Sequence, residues 1–404
     1  MYRKFLKPRT IFIVIIIFAA FFRLYRLDYP NKYIFDEVYH AYTAKEYLKG
    51  NKEAWSPWGK STEEGTAFEW LHPPVSKEIM TASMFILKNT DAWAWRLPGA
   101  LLGILSVILV YKLASLLFKN AAAAIFSALI FSIDGLNFVQ SRIGMNDIYL
   151  VTFILASVIF FVRKNYLLSA IFTGIAISTK WPGVFLMLIY FPILIDQRQF
   201  KNLIFFVLIL PAIYLLSYTP YFLIGYTWSD FIQLHKQIWW YQTHLKATHD
   251  YASPWWSWPL NLYPIWYFVD YIGESVANIF ASGNPAVFLI GIGSLLLTLI
   301  EGLRKKLKHL LLIVALFLVF WLPWAISPRI MFLYHFSPSV PFLCLAIGYQ
   351  LNTLINKGRR KTAILLLALM IFSFALLFPF LTGIPLSKNL TNLFFFTNLA
   401  KNPF

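Results

Sequence analysis

The chain has 404 residues, of which 59% are hydrophobic and only 13% charged. A soluble domain of that composition has too little polar surface to cover itself, and runs of ~20 apolar residues, each long enough to cross a hydrocarbon core, recur along it. The formal charge of +17 comes with no RNA- or DNA-binding motif, so no nucleic-acid partner is expected and the cations read as a topology signal.

The pattern predicts an all-α polytopic membrane protein; a barrel would show short alternating segments instead. Eleven spans are expected, at residues 10–27, 97–118, 121–139, 147–162, 166–180, 182–195, 202–223, 282–300, 309–326, 330–350 and 361–381. No small-residue cleavage site follows Ile11 to Phe22, so the first is read as a retained anchor and not a signal peptide. A cytoplasmic N-terminus collects Arg3, Lys4, Lys7, Arg9, Lys119, Arg163, Lys164, Arg198, Lys201 and the basic clusters at 304–308 and 357–361 on one side. Only Asp196 and Glu301 are acids there, as the positive-inside rule expects. The chemistry is then expected on the opposite, external face, where residues 28–96 and 224–281 form the two long loops.

Acids are scarce, and two of them, Asp36 and Glu37, are adjacent in Phe35-Asp36-Glu37-Val38-Tyr39-His40. They read either as a solvated loop pair or as a reaction centre, since low dielectric at a membrane strengthens charge interactions and perturbs pKa values. Val38, Ala41, Tyr42 and Leu48 have near-helical spacing and predict an amphipathic helix over residues 37–49 lying on the membrane. Trp55 to Trp58 and Thr62 to Gly65 read as turn and linker. Further on, His72-Pro73-Pro74 breaks one element and starts the next. Residues 78–88 are too few to span and predict an interfacial helix. Lys77 falls in its first turn, where a cation and a helix N-terminus make an anion site suited to phosphate; the plain alternative is a lysine reaching lipid headgroups.

Other charges sit near expected span ends: Arg96, Asp134, Arg142, Asp147, Lys180 and Arg329. Such residues often snorkel, but ionisable groups at depth default to a functional reading. Asp134 lies inside an apolar run, and a structural Asp134–Arg142 pair is equally open. Gly99-Ala-Leu-Leu-Gly103 is read as a packing face. The second loop carries Trp239, Trp240, Trp255, Trp256, Trp258 and Trp266, read as an interfacial belt or as a groove for a lipid chain or sugar. No histidine pair has the spacing of a helical zinc motif, so no metal site is expected. The single cysteine, Cys344, excludes an internal disulfide. Asn389-Leu390-Thr391 in the 382–404 tail is read as a chance match to a glycosylation acceptor.

Six stretches together resemble the protein O-mannosyltransferase family, membrane enzymes of the GT-C glycosyltransferase class. They are Phe35-Asp-Glu-Val-Tyr-His40, His72-Pro-Pro-Val-Ser-Lys77, Asp134-Gly-Leu-Asn-Phe-Val-Gln-Ser-Arg-Ile-Gly-Met-Asn-Asp147, Ser178-Thr-Lys-Trp-Pro-Gly183, Ser257-Trp-Pro-Leu260 and Arg329-Ile-Met-Phe-Leu-Tyr-His335. They occur in the family's order. The second loop is too short for the β-trefoil insert of the eukaryotic enzymes, so the likeness is to prokaryotic members. Two departures are Asn146, where the family often has leucine, and the Pro-Pro-Val-Ser-Lys run, where many members have a glycine after the proline pair.

The resemblance implies a GT-C transmembrane catalytic domain over residues 1–381 in the cell membrane. It also implies transfer of mannose from a polyprenyl-phosphate carrier to Ser or Thr of an acceptor protein. One carboxylate base and a cationic phosphate clamp suffice, because a phosphate leaves without a general acid. The expected roles are Asp36 as base, Glu37 positioning the acceptor or tuning Asp36, and Lys77 and Arg96 holding the carrier phosphate, with Arg142 as a further candidate. Asp147 and His72 are expected on the sugar or phosphate. No cofactor is required, although outer-face carboxylates have the chemistry to bind a divalent cation. Two alternatives are a GT-C enzyme acting on a lipid acceptor of the lipid A type, and a transporter. The transporter fits less well, because its polar residues belong at the midplane and here they cluster at one surface.

Overall fold

The structure is a computed structural model and describes residues 7–394. Arg3, Lys4 and the last ten residues of the tail lie outside the described residues. Helix α1 (Pro8–Leu24) starts on a proline, whose missing N–H costs nothing at a first helical position. The first long loop then carries a 3₁₀ turn over Phe35–Val38, α2 (His40–Leu48) and α3 (Val75–Leu87), and leads into the 27-residue α4 (Ala92–Phe118). A helix follows Pro73-Pro74 as expected, and it is α3.

The expected third span, 121–139, is a correction: it is two helices, α5 (Ala121–Ser132) and α6 (Gly135–Gln140). Asp134 accepts the N–H groups of Leu136 at 3.4 Å and Asn137 at 2.8 Å. An acid inside an apolar run competes with the helix ladder as an N-cap, and here it ends one helix and starts another. Asp134 makes no ion pair with Arg142 among the described residues.

Next come α7 (Asp147–Val162), α8 (Tyr166–Thr179) and α9 (Met187–Asp196), the last two separated by Lys180 and a 3₁₀ turn over Trp181–Leu186. Then follow α10 (Phe200–Ser217), α11 (Thr219–Leu223) and α12 (Trp228–His244), where Thr227 and Asp230 close a capping box on α12. The second loop is not purely helical. Strands β1 (Ile265–Ile272) and β2 (Ser275–Ala281) pair antiparallel, and β3 (Leu386–Ser387) adds to β2. The chain closes with α13 (Pro285–Arg304), α14 (Lys308–Val319), α15 (Val340–Asn356), α16 (Arg360–Thr382) and α17 (Lys388–Phe394).

Six helical segments among the described residues are long and apolar enough to cross a membrane, and four more apolar ones are shorter. The eleven expected spans all meet helices, but helix length does not support eleven full crossings. Exposed Ile204, Val207 and Leu208 on α10, and Leu365 and Phe372 on α16, form outward apolar faces suited to lipid. Inside, small polar side chains tie helices together. Ser106 bonds Thr152 at 2.8 Å between α4 and α7, and Ser157 on α7 meets Thr173 at 2.7 Å on α8 and Tyr190 at 3.0 Å on α9. Helices α5 and α15 touch backbone to backbone at Gly348, where a Cβ would lie 2.7 Å from Ser127 N and 2.8 Å from Ala123 O.

Candidate active site

The two adjacent acids have opposite environments. Consecutive residues on a 3₁₀ turn point about 120° apart, so one of a pair turns inward while its neighbour stays open. Glu37 is the inward one, with no exposed surface. Its Oε1 accepts Arg96 Nε at 2.7 Å, Gly144 N at 2.8 Å and Trp95 Nε1 at 3.1 Å. Its Oε2 accepts a terminal N–H of Arg96 at 2.7 Å and Ile34 N at 3.0 Å. The rest of the Arg96 guanidinium donates to the carbonyls of Leu27, Pro30 and Lys32 at 3.0–3.2 Å. Every donor of Arg96 is therefore engaged, and the pair pins the first loop to α4 and to the α6–α7 turn.

A second cluster surrounds Glu69, which sequence reasoning did not single out. Its Oε1 accepts the backbone N–H of His72 at 3.1 Å and the ring Nδ1–H at 2.7 Å. Its Oε2 accepts Lys77 Nζ, which also donates to His72 O at 2.9 Å. Burial pushes the Glu69 carboxyl up, but Lys77 and His72 outweigh it and hold it well below its ordinary value. Burial lowers His72 and pushes His40 down to about 3, so both imidazoles are neutral at physiological pH. Lys77 is buried and satisfied within this cluster.

Asp36 is half-buried, and no hydrogen bond reaches its carboxylate among the described residues. Burial raises its pKa to about 7; Asp147 and Glu69 push in the same direction, while Lys180 and Arg329 oppose. Those two cations are the ones Asp36 feels most. Lys180 Nζ bonds Asp147 Oδ1 at 2.9 Å and lies 5.2 Å from the centre of the Tyr334 ring. Asp147 occupies the first position of α7, where the helix dipole favours an anion, and its Oδ2 is buried without a partner. Arg329 bonds the side chain of Gln242. Lys180, Arg329, Gln242, His72 and His335 line a cavity of about 240 Å³ walled by aromatic side chains, among them Trp181, Trp239 and Trp324.

The structure thus brings together Asp36, His72 and Asp147 with Lys180 and Arg329, and leaves Arg96 and Arg142 apart. Arg142 donates to the carbonyls of Phe22 at 2.7 Å and Arg23 at 2.9 Å, capping the C-terminal end of α1. Lys180 was visible in sequence beside a Trp-Pro-Gly break, and Arg329 at a span end. Nothing local to either marked it as facing Asp36. No group of three or more metal-ligating side chains is found among the described residues.

The described helices form an apolar bundle with acids and cations gathered at one end, the architecture of the GT-C fold seen in the solved structures it resembles. The structure aligns with a chain of the Saccharomyces cerevisiae protein O-mannosyltransferase Pmt1-Pmt2 complex bound to the sugar donor, with a TM-score of 0.83 and 16% identity, covering 100% of this chain and 94% of that one. It aligns with ArnT from Cupriavidus metallidurans bound to undecaprenyl phosphate at a TM-score of 0.61 and 16% identity, over 85% of this chain and 60% of that one. Residues 13–243 match the dolichyl-phosphate-mannose-protein mannosyltransferase family, and residues 227–397 match the C-terminal four TMM region of protein-O-mannosyltransferase. The chain belongs to this family of mannosyltransferases. The polyprenol-phosphate-mannose–protein mannosyltransferase of Mycolicibacterium smegmatis is 24% identical over 477 residues, covering 94% of this chain and 90% of the relative. The one from Mycobacterium tuberculosis is 23% identical over 466 residues, covering 89% and 85%.

Proposed function

We propose that the protein moves mannose from a polyprenyl-phosphate carrier to Ser or Thr hydroxyls of proteins, with inversion, on the external face of a membrane and with its N-terminus in the cytoplasm. The observation that carries this is Asp36: an acid with no hydrogen-bond partner and a pKa near neutrality, opposed by two cations at an aromatic-walled cavity. A general base works best with a pKa near the operating pH.

In this reading the acceptor oxygen bonds the anomeric carbon while the bond from that carbon to the phosphate oxygen breaks. The hydroxyl proton passes to Asp36. The phosphate departs with the electron pair, and Lys180 and Arg329 hold its charge. The transition state is oxocarbenium-like, and attack opposite the leaving group inverts the centre. His72, fixed by Glu69, and Asp147, fixed by Lys180, face the sugar and phosphate. Lys77 acts through Glu69. Glu37 and Arg96 are positioning residues that hold the turn bearing Asp36. No metal enters this scheme, and activity is expected to persist in chelator.

Replacing Asp36 with Asn tests the base. Transfer of labelled mannose to protein is expected to fall by ~10²–10⁴ while the variant inserts and unfolds at no lower a temperature than the wild type. Normal turnover in that variant sinks the assignment. Lys180→Gln and Arg329→Gln are expected to weaken donor binding, and unchanged donor affinity in both removes the clamp. If the label partitions into lipid instead of protein, the acceptor is a lipid.

A further inference from the structure

At the face of the bundle opposite the candidate active site, the ends of five helices line an apolar groove of about 610 Å³. The volume falls within the range of ligand sites, about 300–1,000 Å³. Its walls include Leu117 at the end of α4, Phe161 on α7, Leu188 and Pro192 on α9, and Leu312 and Ala315 on α14. The lining is mostly apolar side chain, and Leu188 within it is exposed, so its occupant is a hydrocarbon chain and not a water-borne solute.

The mouth of the groove is charged. Lys164, in the turn between α7 and α8, and Lys308, the first residue of α14, both line it, with His309 beside Lys308 and Asp196 as the one acid. Both lysines are exposed, and neither makes an ion pair among the described residues. No side chain caps the first turn of α14, which ends at the same mouth. A hydrocarbon slot ending in two unpaired ammonium groups is the chemistry of a lipid bearing a negative headgroup.

We propose that this groove binds one anionic glycerophospholipid, with an acyl chain among α4, α7, α9 and α14 and its phosphate between Lys164 and Lys308. The site is separate from the catalytic one, at the other end of the same helices.

The test uses the full chain, delipidated in detergent and titrated with phosphatidylglycerol or phosphatidylcholine, with bound lipid read by native mass spectrometry. The wild type is expected to prefer phosphatidylglycerol. A basic residue near an anionic headgroup is worth about fivefold, so Lys164→Gln with Lys308→Gln is expected to lower phosphatidylglycerol affinity about 25-fold and bring the two lipids level. Ala315→Phe, which fills the slot, is expected to weaken both lipids. Both lysines are surface side chains, and the double variant is expected to unfold at the wild-type temperature. Equal retention of the two lipids by the wild type overturns the proposal, as does undiminished phosphatidylglycerol affinity in the double variant. Displacement of bound phosphatidylglycerol by equimolar undecaprenyl phosphate assigns the groove to the carrier and also overturns it. Loss of the mannosyl-transfer reading leaves each of these readouts untouched.

Discussion

Asp36 and Glu37 differ by one position and by almost everything else. The sequence marks them as a pair, and their spacing cannot say which one is buried, because that depends on the hand of a four-residue turn and on Arg96, 59 residues away. Removing one partner of a buried ion pair strands the other charge and costs about 3–5 kcal/mol. Glu37→Gln is therefore expected to lower the thermal unfolding temperature of the purified protein strongly, with activity lost in step with folded protein. An unshifted transition would mean that the pair does not hold the loop. Asp36 makes a different prediction. Its raised pKa means that the carboxylate form is populated only above about pH 7, so kcat/KM is expected to rise with pH through about 7. Lys180 is the strongest influence holding that value down. Lys180→Gln is therefore expected to move the limb to higher pH, and a limb that stays put or moves down contradicts the arrangement. The same shift has a stability sign. Between the ordinary value of 3.8 and about 7 the folded chain keeps a proton that the unfolded chain releases, so the contribution of Asp36 to stability falls as pH rises across that window. One departure from the family pattern, Asn146, lies beside the other: Ser76, next to the Val75 that follows the proline pair, donates its Oγ–H to Asn146 Oδ1 at 2.5 Å, joining α3 to the start of α7.

At the scale of elements, hydrophobic runs located the long apolar helices but not the 17-residue α12, which lies in the second loop, and the turn chemistry at Pro73-Pro74 located α3. What the runs hide is a break inside one of them, since Asp134 caps α6 with only two or three local hydrogen bonds. The β1–β2 hairpin was also legible in principle. Ile265 to Ile272 is rich in aromatic and β-branched residues, and Gly273, at a φ of +59°, supplies the turn before Ser275. Reading those aromatics as an interfacial belt obscured the strand signal. Helix contact sites carry a sharper expectation. At Gly348 a methyl group meets Ser127 N and Ala123 O, both backbone atoms of α5 that cannot step aside. Gly348→Ala is expected to destabilise by about 1–3 kcal/mol, read as a lower unfolding temperature, and a neutral result would mean that α5 and α15 slide apart freely.

For the whole molecule, the distribution of cations predicts which end faces the cytoplasm, and the lone buried Cys344 makes that measurable with little background. Trp58→Cys, on an exposed loop position, is expected to react with an impermeant maleimide in intact cells. Lys357→Cys, at the far end, is expected to react only after lysis, and the reverse pattern inverts the topology. Helix length adds something that composition does not. Helices α7 and α8, of 16 and 14 residues, rise only about 24 and 21 Å at 1.5 Å per residue, against a hydrocarbon core of ~30 Å. With Arg163 and Lys164 held at the opposite headgroup plane, that shortfall is expected to put Asp147 and Lys180, at the site-facing ends, in a notch beneath the near one. A carrier with a long isoprenoid tail then need not be lifted from its leaflet, because the ammonium of Lys180 lies low enough to meet its phosphate. Bilayer thickness becomes a rate control: vesicles of longer-chain lipid should bury the notch more deeply and slow turnover.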